Sequence, residues 1–374
     1  MTRLIRAPGS ASRRPAWLAC LATVASLGSP PAGAQGQHDG FVFLSVESFD
    51  NLSDPVSSID NSFVRPAADI LYAYNNARFR FLGEYIWSST EAEMERFEVG
   101  WRATDRTMFW VGRFHTIAKY WTTEYHHGQF MQTSISRPGV EEWEDESGPM
   151  PSHLTGLSIE HEIIRADQSA VNLGLAVGYG PTFAGQELEP FDLFDPQSGH
   201  DLAVNVRAAW RPDALSDNEV GILIGWNDIP VDSASEPALA DLHRIEQLTA
   251  GVFLNWQWPR WRVITSWTFF KNDLGFVDGL ERDDFVAGYL QGELRAARDW
   301  TVFGRTEASF GEDSSIYLSL LPAFVAHRNM LGLRWDFVDQ QSLTVEVADT
   351  SAKSTGPEHD NFKELRLQWS AVFP

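Results

Sequence analysis

A two-residue alternation keeps one face apolar along almost the whole of this chain. That pattern restricts the fold more than any other feature. From Phe79 to Trp87, the residues Phe79, Phe81, Gly83, Tyr85 and Trp87 fall on one side, and Arg80, Leu82, Glu84 and Ile86 on the other. From Arg96 to Ala103, the set Phe97, Val99, Trp101 and Ala103 opposes Arg96, Glu98, Gly100 and Arg102. Near the end, Leu365, Leu367, Trp369, Ala371 and Phe373 oppose Arg366, Gln368, Ser370 and Val372. Successive side chains of a strand point to opposite faces, so each stretch reads as a strand with one apolar side. About sixteen such segments occur, near 41–49, 68–75, 78–88, 94–103, 107–114, 155–164, 169–180, 200–211, 218–227, 245–258, 260–271, 283–297, 300–310, 326–338, 341–350 and 361–373.

The connections between them alternate in length. Short ones include 76–77, 104–106, 259, 298–299 and 339–340; longer ones include 51–67, 115–154, 181–199, 228–244, 272–282 and 311–325. Short turns at one end and long loops at the other mark a transmembrane β-barrel, with the turns in the periplasm. With sixteen strands, both chain ends fall on the short-turn side. The expected fold is therefore all-β: a transmembrane antiparallel β-barrel of about 16 strands, with a long third extracellular loop.

The start of the chain fits an exported protein. Arg3, Arg6, Arg13 and Arg14 precede the apolar run from Ala16 to Gly28, and Ala32-Gly33-Ala34 supplies a small-residue cleavage site. This reads as a secretory signal peptide over 1–34, cut near Ala34, with the barrel over 35–374. The run is too short to span a bilayer, which takes about 20 apolar residues. The single cysteine, Cys20, lies inside it, so the mature chain has no disulfide framework. The full chain carries a net charge of −22. The signal region holds four Arg and no acid, so its removal leaves 25 basic against 51 acidic residues, a net of −26. Such a surface excludes nucleic acid as a partner, because that role needs a basic footprint. No apolar run of about 20 residues appears in the mature chain, which excludes helical spans.

The chain has 15 Trp, 14 of them beyond the signal region. Twelve lie in the alternating segments or at their ends: Trp87, Trp101, Trp110, Trp210, Trp226, Trp256, Trp258, Trp261, Trp267, Trp300, Trp335 and Trp369. The registers put all twelve on the apolar face, many at segment ends, as an interfacial aromatic belt requires. A secreted β-sandwich or propeller also alternates, but it would have to crowd these rings into one core.

The last residues, LRLQWSAVF before Pro374, resemble the C-terminal strand of Gram-negative outer-membrane proteins, which alternates and ends in an aromatic residue. The stretch WVGRFHTIAKYW, from Trp110 to Trp121, is similar to the strand-to-loop segment of phosphate-selective porins. Gly112 and Phe114 match, while Ile117 and Ala118 stand where that subfamily turns. The porin resemblance implies bacterial outer-membrane localisation after Sec-type export. It also implies lipid and lipopolysaccharide around the barrel, the barrel assembly machinery during biogenesis, and a homotrimer. It implies passive diffusion of small hydrophilic solutes or ions, and no phosphate specificity is carried over.

The connection 115–154 is the longest and the third on its side. In the general porins that the chain resembles, the third extracellular loop folds into the lumen and narrows it. The constriction-loop candidates are His115, Lys119, Tyr120, Glu124, Tyr125, His126, His127, Glu141, Glu142, Glu144 and Asp145. The aromatics would anchor the loop to the wall, and the acidic run Glu141 to Glu146 would lie near the mouth. Wall candidates on the inward face are Arg80, Glu84, Arg96, Glu98, Arg102, Arg113, Arg207, Arg262, Arg305, Glu307, Arg334, Asp336 and Arg366. Rings of charge set ion preference in pores. The same residues also suit a plain solvated face in which they pair with one another.

The sequence carries no cofactor signature. His126-His127 with His115 nearby invites a metal reading, but adjacent residues of a strand point opposite ways. The chain has no H-x-x-x-H spacing, so no metal site is expected. A barrel enzyme would need Ser, His and an orienting group together on the outer surface; the registers bring no outward His and Ser together, and no enzyme is expected. The alternative to a channel is a non-conducting structural or docking barrel that sheathes a periplasmic partner.

Overall fold

A computed structural model describes residues 36–53, 62–89, 92–125, 130–191, 199–232, 239, 241–354 and 359–374. The expected signal peptide lies outside these residues. Sixteen antiparallel strands close into a barrel over the unit Gln37–Pro374. They are β1 (Gln37–Asn51), β2 (Ser62–Asn75), β3 (Phe79–Ser88), β4 (Ala92–Thr104), β5 (Thr107–His115), β6 (His153–Ile164) and β7 (Ala170–Tyr179). After a small hairpin of β8 (Thr182–Ala184) and β9 (Glu187–Glu189) come β10 (Leu202–Arg211), β11 (Glu219–Pro230), β12 (Leu242–Gln257) and β13 (Trp261–Phe276). The last are β14 (Gly279–Ala297), β15 (Trp300–Phe310), β16 (Ala323–Val338), β17 (Gln341–Ser354) and β18 (His359–Phe373). β1 closes the ring by pairing with both β2 and β18, with Val42 opposite Phe373. Closure leaves no open sheet edge, which a lipid environment demands.

Each of the sixteen expected segments is a strand. The outer face is apolar and exposed: Val111, Leu157, Ile222, Val252, Leu331 and Val347 all point away from the protein. Eleven of the twelve segment Trp follow them. Trp101, Trp210, Trp258, Trp261, Trp300 and Trp335 are exposed near the short turns, and Trp300 stacks on Trp335 at 5.1 Å between ring centres. This is an interfacial girdle, concentrated at one rim.

Trp110 corrects the twelfth assignment. On β5 it is Phe109 and Val111 that face out, and Trp110 lies inward across Gly100, where a Cβ would stand 2.6 Å from its ring. The absent side chain at Gly100 makes the room. Two residues later Gly112, at φ +137°, takes a conformation that other residues rarely adopt. The alternation breaks there, and Arg113, Phe114 and His115 are all buried.

The 272–282 stretch is not the long loop that its polarity suggested. β13 and β14 continue to a two-residue turn at 277–278. Their ladder there pairs Asn272 with Asp283 and Asp273 with Arg282. Side chains support it: Asn272 Nδ2 donates to Asp283 Oδ1 at 2.8 Å, and Arg282 reaches Asp273 at 3.1 Å. Beyond the lipid both faces meet polar surroundings, so a strand there no longer shows one apolar side.

Candidate functional site

The connection from β5 to β6 carries a short helix, α1 (Tyr120–Tyr125), and two 3-10 turns at Gly139–Glu141 and Glu144–Glu146. It packs against the face of the barrel opposite the apolar outer one. Tyr120 stacks on Phe253 of β12 at 4.7 Å, and Trp121 meets Tyr289 of β14 edge-on at 5.6 Å. Together with Tyr125, Val140 and Met150, they join one buried cluster with Leu223, Phe270, Phe285 and Phe324 of β11, β13, β14 and β16. The alternation expected polar residues on this inner face. From β11 to β16 large apolar residues stand among the polar ones, and the β5–β6 connection and Tyr317, Leu318 and Leu321 of the β15–β16 connection pack into the same cluster.

Polar contacts fix the same segment. Arg305 of β15 donates to Ser134 Oγ, Ser136 Oγ and O, and Arg137 O, at 2.8–3.1 Å. Glu307 accepts from Gly139 N at 2.6 Å. On β17, Glu346 accepts from Ile135 N and from the Ser136 hydroxyl. Arg328 donates to Arg137 O, and Arg334 donates to the carbonyls of Phe130 and Gln132. Lys119 is fully buried, and its ammonium donates to Glu142 O at 2.5 Å, Met150 O at 3.2 Å and Ser152 Oγ at 2.7 Å. One side chain thus ties the two ends of the connection together. Burial pushes the Lys119 ammonium down to about 8 and the Arg137 guanidinium down to about 10.

The expected loop residues divide. Glu124 reaches Arg207 at 3.3 Å, and Tyr125 lies under Arg262 at 5.6 Å. Glu141 is fully buried and accepts from Trp121 N, so it lies inside the packing and not at a mouth. Glu144 is also buried: it accepts from Ser152 N at 2.6 Å and lies 2.6 Å from His153 Nδ1. Only part of the acidic run, Asp145 and Glu146, is exposed. Glu142 is half-buried, and that burial pushes its carboxyl up to about 7. His126 and His127 lie outside the described residues. His115 is buried at the end of β5.

Most wall candidates are paired. Arg96 meets Glu84, Arg113 meets Glu93 at 3.3 Å, and Arg207 meets Glu219 at 2.7 Å. Arg305 meets Glu307 at 2.8 Å, Arg334 meets Asp336 at 2.8 Å, and Arg366 meets Glu47 at 2.8 Å and Glu364 at 2.9 Å. Arg80 donates to Asn75 at 3.3 Å and Arg262 to Asn255 at 2.9 Å. Glu98 is buried. Arg102 lines a cavity with Arg80.

Two cavities flank the connection. One, of about 490 Å³, is lined by its 135–146 part, by the β8–β9 hairpin, and by inner-face residues of β1 to β4, β6, β16 and β18. Its lining holds ten acids, among them Glu47, Asp69, Glu93, Glu142, Glu187 and Glu189, against Arg65, Arg137, Arg328 and Arg366. The other, of about 530 Å³, opens among the short turns. Ile117, Thr123 and Glu124 line it from the connection, together with Arg80, Arg102, Arg106, Arg207 and Arg211 and the acids Asp105, Glu160, Glu162 and Glu219. Acid dominates the first cavity, and charge balances in the second.

Sequence reasoning missed Glu93, Glu95 and His153. The strand β4 slips by one residue between the pairs Glu84–Arg96 and Tyr85–Met94. That bulge turns Glu95 as well as Arg96 into the interior. A strict two-residue period cannot show it. The sequence signal is a change of phase in EAEMERFE: the charges stand at Glu91, Glu93 and Glu95, then at Arg96 and Glu98.

No family model matches the chain, and no curated protein matches it. Solved structures do. The outer membrane channel DcaP of Acinetobacter baumannii is 10% identical over 92% of this chain and 99% of that one, with a TM-score of 0.61. OmpF of Salmonella typhi, solved with daunomycin, is 9% identical over 90% and 97%, with a TM-score of 0.60. A trimer form of OmpT, an outer membrane protein of Vibrio cholerae, is 11% identical over 90% and 99%, with a TM-score of 0.54. At such identities the likeness is one of fold.

Proposed function

We propose, from a closed sixteen-stranded barrel with the fold of outer-membrane porins, that this protein is a passive diffusion channel of the bacterial outer membrane. It passes small hydrophilic solutes or ions, and the connection between β5 and β6 narrows its lumen. One observation carries the reading: two polar cavities flank that connection, one towards the long connections and one among the short turns. A barrel of sixteen strands is wide enough to leave an aqueous lumen. The ten acids against four Arg of the first cavity favour cations at that entrance. Field focusing in a low-dielectric cleft raises the local counter-ion concentration, and salt screens it: the Debye length falls from about 30 Å at 0.01 M to about 3 Å at 1 M. Assembly as a homotrimer belongs to the same proposal, and OmpT of Vibrio cholerae was solved in a trimer form.

Single-channel recording of the purified protein in planar bilayers tests it. Discrete conductance steps are expected, with reversal potentials that favour cations at low salt and lose most of that preference at high salt. A protein that inserts but never conducts is a structural or docking barrel. Anion preference at low salt means that the wall Arg outweigh the acidic cavity.

A further inference from the structure

Three groups that could hold a metal ion converge at the root of the long connection. His115 is the last residue of β5, His153 the first of β6, and the two are directly paired across the ladder. Glu95 comes from the neighbouring strand β4, turned inward by its bulge. All three are buried, and one ligand atom from each lies within 4.8 Å of the others. His153 Nε2 is 2.7 Å from Glu95 Oε2, and the two imidazole centres are 5.1 Å apart. The other nitrogen of His153, Nδ1, faces Glu144 Oε1 at 2.6 Å. Trp143 stacks on the ring at 5.7 Å, nearly parallel at 9°, and Arg137 covers Trp143 at 3.7 Å.

We infer that Glu95, His115 and His153 form a binding site for a divalent transition metal ion such as Zn²⁺. The donor set is two imidazoles and one carboxylate, which suits such ions better than Ca²⁺ or Mg²⁺. The surroundings do what a metal site needs beyond its ligands. A carboxylate on the far nitrogen of a ligating His fixes its orientation and raises its basicity. Glu144 stands in that position on His153, and its other oxygen is held by Ser152 N at 2.6 Å. Metal entry takes the place of the direct His153–Glu95 contact. The Nε2 lone pair of His153 then goes to the metal, and any proton on that nitrogen leaves to solvent. Glu95 and His153 line the acidic cavity, so a fourth position is open to water from there. The bulge is the telling feature, because bulges re-aim a side chain where a site requires it. The ion would join three adjacent strands at the point where the connection leaves the wall.

The experiment is titration calorimetry of the purified full-length barrel, freed of metal by chelator, with Zn²⁺ as the probe. One ion per protomer is expected. His115→Ala and Glu95→Gln should each weaken binding by more than about 100-fold. Glu144→Gln removes only the orienting partner and should cost about 10–100-fold. The double variant His126→Ala/His127→Ala should bind as the natural chain does. Should a ligand variant fail to fold, Co²⁺ absorption of the natural chain decides: a tetrahedral spectrum with two imidazole donors is expected. Absence of stoichiometric binding, or binding lost only in the His126/His127 variant, overturns the site. This readout is independent of conductance, so its failure leaves the channel proposal standing.

Discussion

The two halves of the inner wall are built differently. From β11 to β16 the inner face carries Phe253, Phe270, Phe285, Tyr289 and Phe324, all buried in one cluster with the long connection and with Tyr317, Leu318 and Leu321. From β1 to β7, and on β18, it carries ion pairs and lines the two cavities, β18 the first only. The two arrangements solve different problems. The first half anchors a long segment by burying apolar area at about 25 cal/mol per Å². The second half borders open, polar cavities, and its buried charges are held in pairs, Arg96 with Glu84 and Arg113 with Glu93. The anchoring also needs specificity, which Arg305 supplies through its bonds to Ser134, Ser136 and Arg137.

The largest effects should come from breaking the dry half. Trp121 is fully buried, and Trp121→Ala should cost about 3–5 kcal/mol. Thermal unfolding in detergent measures it, with Arg80→Ala near the short turns as a control that stays close to the natural chain. Equal midpoints for the two variants would show that the connection is not held by this cluster. Removing the specific anchor ranks next. Arg305→Met leaves Glu307 buried with Arg328 as its remaining cation and should cost about 3 kcal/mol. The same variant should broaden single-channel current as the segment loosens; an unchanged current trace and midpoint would assign Arg305 no anchoring role.

The cavity-lined half gives smaller, electrical effects. Glu142→Gln with Glu187→Gln and Glu189→Gln should lower cation preference at 0.01 M salt, where the Debye length is about 30 Å. The pair Glu160→Gln/Glu162→Gln, in the balanced cavity, should change it less. The reverse ranking would move the selective region to the short-turn end. The smallest effect is on pH. Burial holds Glu142 up to about 7, so its charge is present above that value and lost below it. Cation preference should therefore weaken as pH falls from 8 to 6, and a flat profile over that range would separate Glu142 from selectivity.

Much of the fold was legible in the chain. Strand number, the outer face, the ring closure implied by sixteen segments, and the unusual third connection all follow from local alternation and polarity. The outward Trp are legible for the same reason: a lipid-facing strand needs an apolar residue at every second position. Three things were not. The inner aromatics of β12 to β16 look like any other apolar residue until the connection is folded over them. Trp110 changes faces because Gly100, on the neighbouring strand, leaves space for it. The Glu95–His115–His153 convergence depends on a one-residue slip in β4 and on the pairing of residues 38 positions apart. A two-residue period determines which face a side chain takes along one strand. What that side chain meets there is decided by cross-strand register and by what packs over the wall, and only the closed tertiary structure sets those.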